Sequence, residues 1–299
     1  MPPIDLWTAQ LHVTVDPDRG AGLLGLRVRR GERWMSLMPE PATSDLAASS
    51  FLMVPYSNRV ANGRFTFGGQ AYQLANAENY AIHGDVRKRP WAVVAQASSS
   101  TRLAFQSREH PGVNWPWAFS CSVTFTLLGN RLHSQLSVRN ESDSPMPAGL
   151  GFHPYFLRAL SRAGEPIFVQ FSVKGVYPDA LGTRIPSGPA VHPTPAQDFS
   201  APRPLDAACF HDFCAHGYEG GGSIHWPESG VKLSFDESAT LDHLVFFNPP
   251  KPYFAMEPVS NANDGFNLHA RGDATSGVRV LLPGDDLVAD WGLTVDVTD

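Results

Sequence analysis

Several features that would place a chain of 299 residues in a familiar class are missing. Only three cysteines are present, Cys121, Cys209 and Cys214, which cannot all pair among themselves and do not make a disulfide scaffold. The expected compartment is therefore the reducing cytoplasm. The opening residues Met1-Pro-Pro-Ile-Asp-Leu-Trp carry neither the basic nor the apolar stretch of a secretory leader, so none is expected. No apolar run approaches the ~20 residues of a spanning helix, and no membrane partner is expected. Net charge is −6, and the densest basic cluster, Arg87–Arg89, is too short for a nucleic-acid footprint. The Gly-x-Ser-x-Gly elbow of serine hydrolases is absent. So are internal repeats and low-complexity segments, and helical patterning is limited to one or two turns around Thr43–Ser49.

What is present reads as strands. Hydrophobic content of 42% with 26 Gly and 26 Pro describes a globular chain with many turns and few long helices. Leu11, Val13 and Val15 alternate with polar residues. Cys121, Val123, Phe125 and Leu127 alternate before Gly129-Asn130, and Leu132, Leu136 and Val138 continue after it, which predicts a hairpin. Further strands are expected over 91–95, 103–106, 167–173, 223–226, 231–235, 243–247, 278–282 and at the end of the chain. Residues 182–203, rich in proline, read as a long surface excursion. The expected fold is all-β, a large antiparallel sandwich, with residues 1–299 forming one domain.

Two strings suggest chemistry that their context does not support. Gly20-Ala21-Gly22-Leu23-Leu24-Gly25 matches a dinucleotide fingerprint, but strand-like alternation follows where a phosphate-binding helix should begin. Cys209, His211, Cys214 and His216 have the donors of a tetrahedral metal set, yet they lack a second, separated ligand pair. No metal and no cofactor is expected.

Four other stretches hold polar residues in unusual surroundings. Glu257 precedes Pro258, which favours an extended conformation and suits a sheet edge or a strand exit. Taken alone, such a Glu reads as solvated. Asn58-Arg59 lies in a turn-rich segment, where Arg offers a rigid fork of donors for hydroxyl or carboxylate oxygens. His83 sits in Ile-His-Gly, and His153 in Gly-Phe-His-Pro-Tyr-Phe. Either is a structural histidine or a proton carrier near neutrality.

Together these stretches resemble the aldose 1-epimerase (galactose mutarotase) family, in its bacterial branch with short HPYF and EPVS motifs. The matching residues are PYSNRVANGRF at 55–65, IHG at 82–84, Pro90-Trp91, GFHPYF at 151–156, LDAACF at 205–210, HWP at 225–227 and MEPVSNANDGFNL at 256–268. The resemblance implies a large antiparallel β-sandwich without metal or cofactor. It implies Glu257 as general base and His153 as general acid, with Arg59, Asn58 and His83 holding a monosaccharide. An aspartate should bind hydroxyls: Asp206 matches best, although two alanines lengthen its interval to Cys209-Phe210 and Asp212 is a second candidate. After His83-Gly84 the branch often shows an aromatic, where this chain has Asp85-Val86-Arg87-Lys88.

The reaction implied is interconversion of hexose anomers, in which a proton leaves the C1 hydroxyl as another reaches the ring oxygen. Other readings stay open at this point. Arg87, Lys88 and Arg89 would suit a phosphorylated sugar; the same sandwich serves as a non-catalytic sugar-binding module; Glu257 with Asp206 would make a glycosidase pair. The state expected is a monomer or homodimer.

Overall fold

The computed structural model describes residues 1–298. Two antiparallel sheets dominate it, one of ten strands and one of nine. In the first, the strands run in the order Ile4–Trp7, Leu11–Asp16, Gly22–Arg30, Ser50–Met53, Gly151–Leu157, Tyr253–Val259, His243–Asn248, His211–His216 and Gly175–Val176, with Arg33–Ser36 hung on Gly22–Arg30. The second has Phe119–Leu128, Arg131–Asn140 and Asp286–Val297 near its middle. The hairpin about Gly129 forms as the alternation predicts, with Leu128 opposite Arg131 and φ +60° at the glycine.

The two sheets show different burial patterns for a physical reason. Phe119–Leu128 alternates buried and half-buried positions up to an exposed Leu128, as a sheet with one wet face must. Tyr253–Val259 is buried at all seven positions. It lies in the middle of the ten-stranded sheet, and loops cover its outer face. Phe254 and Met256 point into the main core, together with Phe152, Phe156, Leu52, Leu244 and Phe246 from neighbouring strands. A second, smaller cluster of Met53, Cys214, Val245 and Val259 lies on the opposite face, with Phe51 packed against it. Each fully buried Phe or Leu contributes about 1.5–3 kcal/mol, so the inner face fixes the register of the strands that carry the outer one.

Two expectations, the place of the helical turn and a sheet edge at Pro258, are corrected. The helical turn lies earlier than 43–49, as a 3-10 turn at Pro41–Thr43, while an α-helix at Gly265–Ala270 follows the Glu257 strand. Pro258 is at a strand exit but not at a sheet edge, because strands pair on both sides of it. The Gly20–Gly25 string begins a strand, Gly22–Arg30, and introduces no helix. Cys209 is exposed ahead of the strand His211–His216, and among the described residues no group of three or more His, Cys, Asp or Glu side chains is placed to hold a metal. No helix of the described residues is long and apolar enough to cross a membrane.

Candidate active site

Gly151–Leu157 pairs with Tyr253–Val259, with Gly151 opposite Val259 and Tyr155 opposite Ala255. That register sets His153 across from Glu257 on one rung of the sheet. Their side chains meet on the outer face, where His153 Nε2 lies 3.1 Å from Glu257 Oε1. Phe51, opposite His153 on the other side, stacks on its imidazole with ring centroids 4.3 Å apart. Val245 continues the rung beyond Glu257. Both members of the pair are buried, at 5% exposure for His153 and 2% for Glu257. The solvated reading of Glu257 is thus overturned: its strand lies inside the sheet and loops close over it.

The loops bring the other residues. His83 is buried with φ +70°, its N–H donating to the Asn58 carbonyl at 2.7 Å and its ring edge-on to His153 at 5.1 Å. Gly84 passes so close to the Val54 carbonyl that a Cβ would collide with it, which explains the glycine after the histidine. Asn58 is buried with φ +53°, and its Oδ1 accepts from Arg59 Nη1 at 2.9 Å. It therefore orients Arg59 and seats His83. The Arg59 carbonyl in turn accepts from the Asp264 N–H at 2.7 Å.

The amides after Glu257 serve as a latch. Asn261 Oδ1 accepts the Ser57 N–H at 3.0 Å, its Nδ2 donates to the Ala262 carbonyl at 2.9 Å, and its own carbonyl accepts the Ser57 hydroxyl at 2.9 Å. Gly149 leaves room for this side chain, since a Cβ there would strike Asn261 Oδ1. The latch ties the Arg59 loop to the exit of the Glu257 strand. No local motif announces this role, because the partners are 204 residues apart.

Of the two candidate aspartates, the structure brings only one to the site. Asp206 lies on an exposed turn, where its Oδ1 caps the Ala208 N–H at 2.8 Å and it lines a surface groove with Arg158. Asp212, on His211–His216, lines a cavity of about 440 Å³ with Asp179, Arg184 and Asn263, and its charge acts on both Glu257 and Arg59. The best sequence match was therefore displaced, because the extra alanines belong to the turn and the strand starts after them. Arg184 was not anticipated. It comes from the proline-rich excursion, with φ +66°, and its Nε donates to Asp212.

The electrostatics follow from burial. Loss of solvent pushes the Glu257 carboxyl well above the usual carboxylate range; Asp212 adds to this and Arg59 opposes it. Burial lowers His153 to about 3, with Arg87 and Arg59 acting in the same direction. His83 is also held well below its ordinary value, first by burial and then by His153. The pair by itself thus favours one shared proton and no net charge. Among the described residues Glu257 Oε2, His153 Nδ1 and His83 Nδ1 are buried without hydrogen-bond partners. Such a set can take and deliver a proton at two neighbouring atoms of a bound ligand.

Solved structures with this two-sheet architecture include a galactose mutarotase-like protein from Clostridium acetobutylicum, at a TM-score of 0.85 and 18% identity over 99% of this chain and 95% of that one, a likeness of fold. The sequence goes further: the aldose 1-epimerase family model matches residues 8–289, and the chain belongs to that family. It is 28% identical to the uncharacterized protein YphB of Escherichia coli K12, over 83% of this chain and 84% of that protein. It is 29% identical to the galactose mutarotase of Mus musculus, over 54% of this chain and 48% of the mouse protein.

Proposed function

We propose that this protein is an aldose 1-epimerase acting on a hexose, with Glu257 as base and His153 as acid. The observation that carries the reading is the buried His153–Glu257 contact of 3.1 Å on a single rung. A hemiacetal presents two oxygens on one carbon, and the reaction needs a proton removed from one and delivered to the other. Two groups in direct contact match two oxygens that share a carbon. A glycosidase would need a second carboxylate across the bond, whereas the partner of Glu257 here is an imidazole.

On this reading the sugar replaces the direct contact with two bonds of its own. The C1 hydroxyl donates to Glu257, which favours the carboxylate, and the ring oxygen accepts from Nε2, which favours imidazolium. Glu257 then takes the hydroxyl proton, His153 gives its proton to the ring oxygen, and the C1–O5 bond breaks. The pair is left neutral, the state that burial prefers, so the low-dielectric site favours the ring-opened stage. Rotation about C1–C2 and the reverse proton transfers close the ring with the opposite anomer. Arg59, held by Asn58, and His83 contact hydroxyls, and Asp212 accepts from others.

The test is anomer exchange followed by polarimetry or NMR exchange spectroscopy, with Glu257→Gln and His153→Gln compared with wild type. Loss of each group is expected to slow exchange by about 10²–10⁴-fold. Full activity in either variant would refute the assignment.

A further inference from the structure

We infer that the pocket beside His153 is a subsite for a tetrahedral oxyanion, phosphate or sulfonate, carried on the exocyclic carbon of the hexose. This rests on the acid role given to His153 above, and it narrows the substrate from a neutral hexose to an anionic one.

The place follows from sugar chemistry. In a hexopyranose the exocyclic carbon is attached to C5, the neighbour of the ring oxygen. Whatever protonates the ring oxygen therefore has the exocyclic substituent at its flank. On that flank Phe51 stacks on His153, and Tyr155 lies at a centroid distance of 4.6 Å. Both rings line a cavity of about 480 Å³. The cavity with Asp212 and Arg184 is a separate one, with polar groups suited to hydroxyls.

The lining supplies the chemistry. Arg19, Arg87 and Lys88 all face the pocket beside Phe51 and Tyr155. Its one carboxylate, Asp45, is already engaged by Lys251 Nζ and the Tyr253 hydroxyl, each at 2.9 Å. Arg87 lies over the face of Phe51 at 5.2 Å, half-buried, and burial works against its charge, a cost that a bound anion would offset. Arg89, by contrast, is used up structurally, donating to Asp85 and to the Pro111 and Gly112 carbonyls. Arginine forks suit tetrahedral oxyanions.

The Gly20 string finds its purpose here. Gly20 has φ +67°, and a Cβ on it would come within 2.5 Å of the Arg87 Cα. Its N–H donates to the Arg89 carbonyl at 2.8 Å, and the Trp91 N–H to the Pro17 carbonyl at 2.8 Å. This close packing of two loops sets Arg19 next to Arg87.

The experiment compares glucose, glucose 6-phosphate and 6-deoxy-6-sulfoglucose, by NMR anomer exchange and by calorimetric binding, on wild type, Arg87→Gln and Arg87→Lys. One anionic sugar should exceed glucose in kcat/KM by about tenfold to hundredfold, and the anion preferred identifies its source. Arg87→Gln should lower the ratio of anionic to neutral kcat/KM by a similar factor, and Arg87→Lys should restore part of it. A melting curve checks that each variant is folded. Exchange of glucose at least as fast as of both anionic sugars would overturn the subsite and leave the epimerase reading standing. Binding of an anionic sugar that Arg87→Gln abolishes, without exchange of any sugar, would support the subsite and overturn the epimerase reading.

Discussion

Arg184 Nε donates to Asp212 Oδ2 at 2.5 Å, while its Nη1 donates to Asp179 at 3.2 Å and its guanidinium lies over Phe210 at 5.6 Å. The carbonyl of the same residue accepts from Asn263 Nδ2 at 2.8 Å. An arginine from a surface excursion thus fixes the aspartate whose charge reaches Glu257. Replacing it by glutamine should raise KM about tenfold, the cost of losing a charge-assisted contact. It should also shift the alkaline limb of the rate profile upward, because an unpaired Asp212 holds the Glu257 proton more tightly. Steady-state kinetics across pH check this; an unmoved KM and limb would refute it.

The two aspartates can be separated directly. Asp212→Asn should lower kcat/KM by about tenfold or more, through loss of a charged hydrogen-bond acceptor. Asp206→Asn should leave it unchanged, since Asp206 caps an exposed turn. Equal losses in both would refute the choice of Asp212.

Glu257→Gln should gain stability while it loses activity. A carboxyl raised in the fold contributes stability when protonated, below its ordinary value of ~4.3, and loses it as pH climbs towards the folded value. Gln has no such loss. Its melting temperature should match wild type near pH 4 and exceed it at pH 8. A lower Tm at pH 8 would contradict the raised carboxyl.

The imidazole has the opposite sign. With His153 lowered to about 3, its contribution is complete above the ordinary ~6.5 and fades as pH falls through the acid range. The expected rate profile shows no histidine step at pH ~6.5, because burial holds His153 far below that value. An inflection at the ordinary histidine value in kcat/KM would show that His153 titrates unperturbed.

Asn261→Ala should destabilise the fold by about 1–3 kcal/mol, since the Ser57 N–H loses its buried acceptor. Freed from the latch, the loop should also bind sugar more weakly. Chemical denaturation and KM together check this, and a change in stability alone would confine Asn261 to folding.

Strands were legible because period-two alternation encodes them, whereas the pairing of Glu257 with His153 came from the resemblance of their short motifs to a known family. Glu257 and His153 stood out by their neighbours, and the inner-face phenylalanines fixed their direction. Three things were not legible, each for a physical reason. The burial of Glu257 depends on loops from distant segments. The choice of Asp212 depends on where a turn ends, which local propensity does not determine when two alanines intervene. Arg184 lies in a segment without periodicity, and only its long-range contact with Asp212 marks it.

The rung of Phe51, His153 and Glu257 is made by strands, whereas Arg19, Arg87 and Arg184 arrive on loops. A one-residue slip in those strands would turn His153 or Glu257 into the core and undo the pair. Exchange of the loops would leave the proton pair where it is. On the proposed reading, substrate choice and proton transfer are thus inherited separately, and a descendant of this chain could change its sugar while keeping the proton pair.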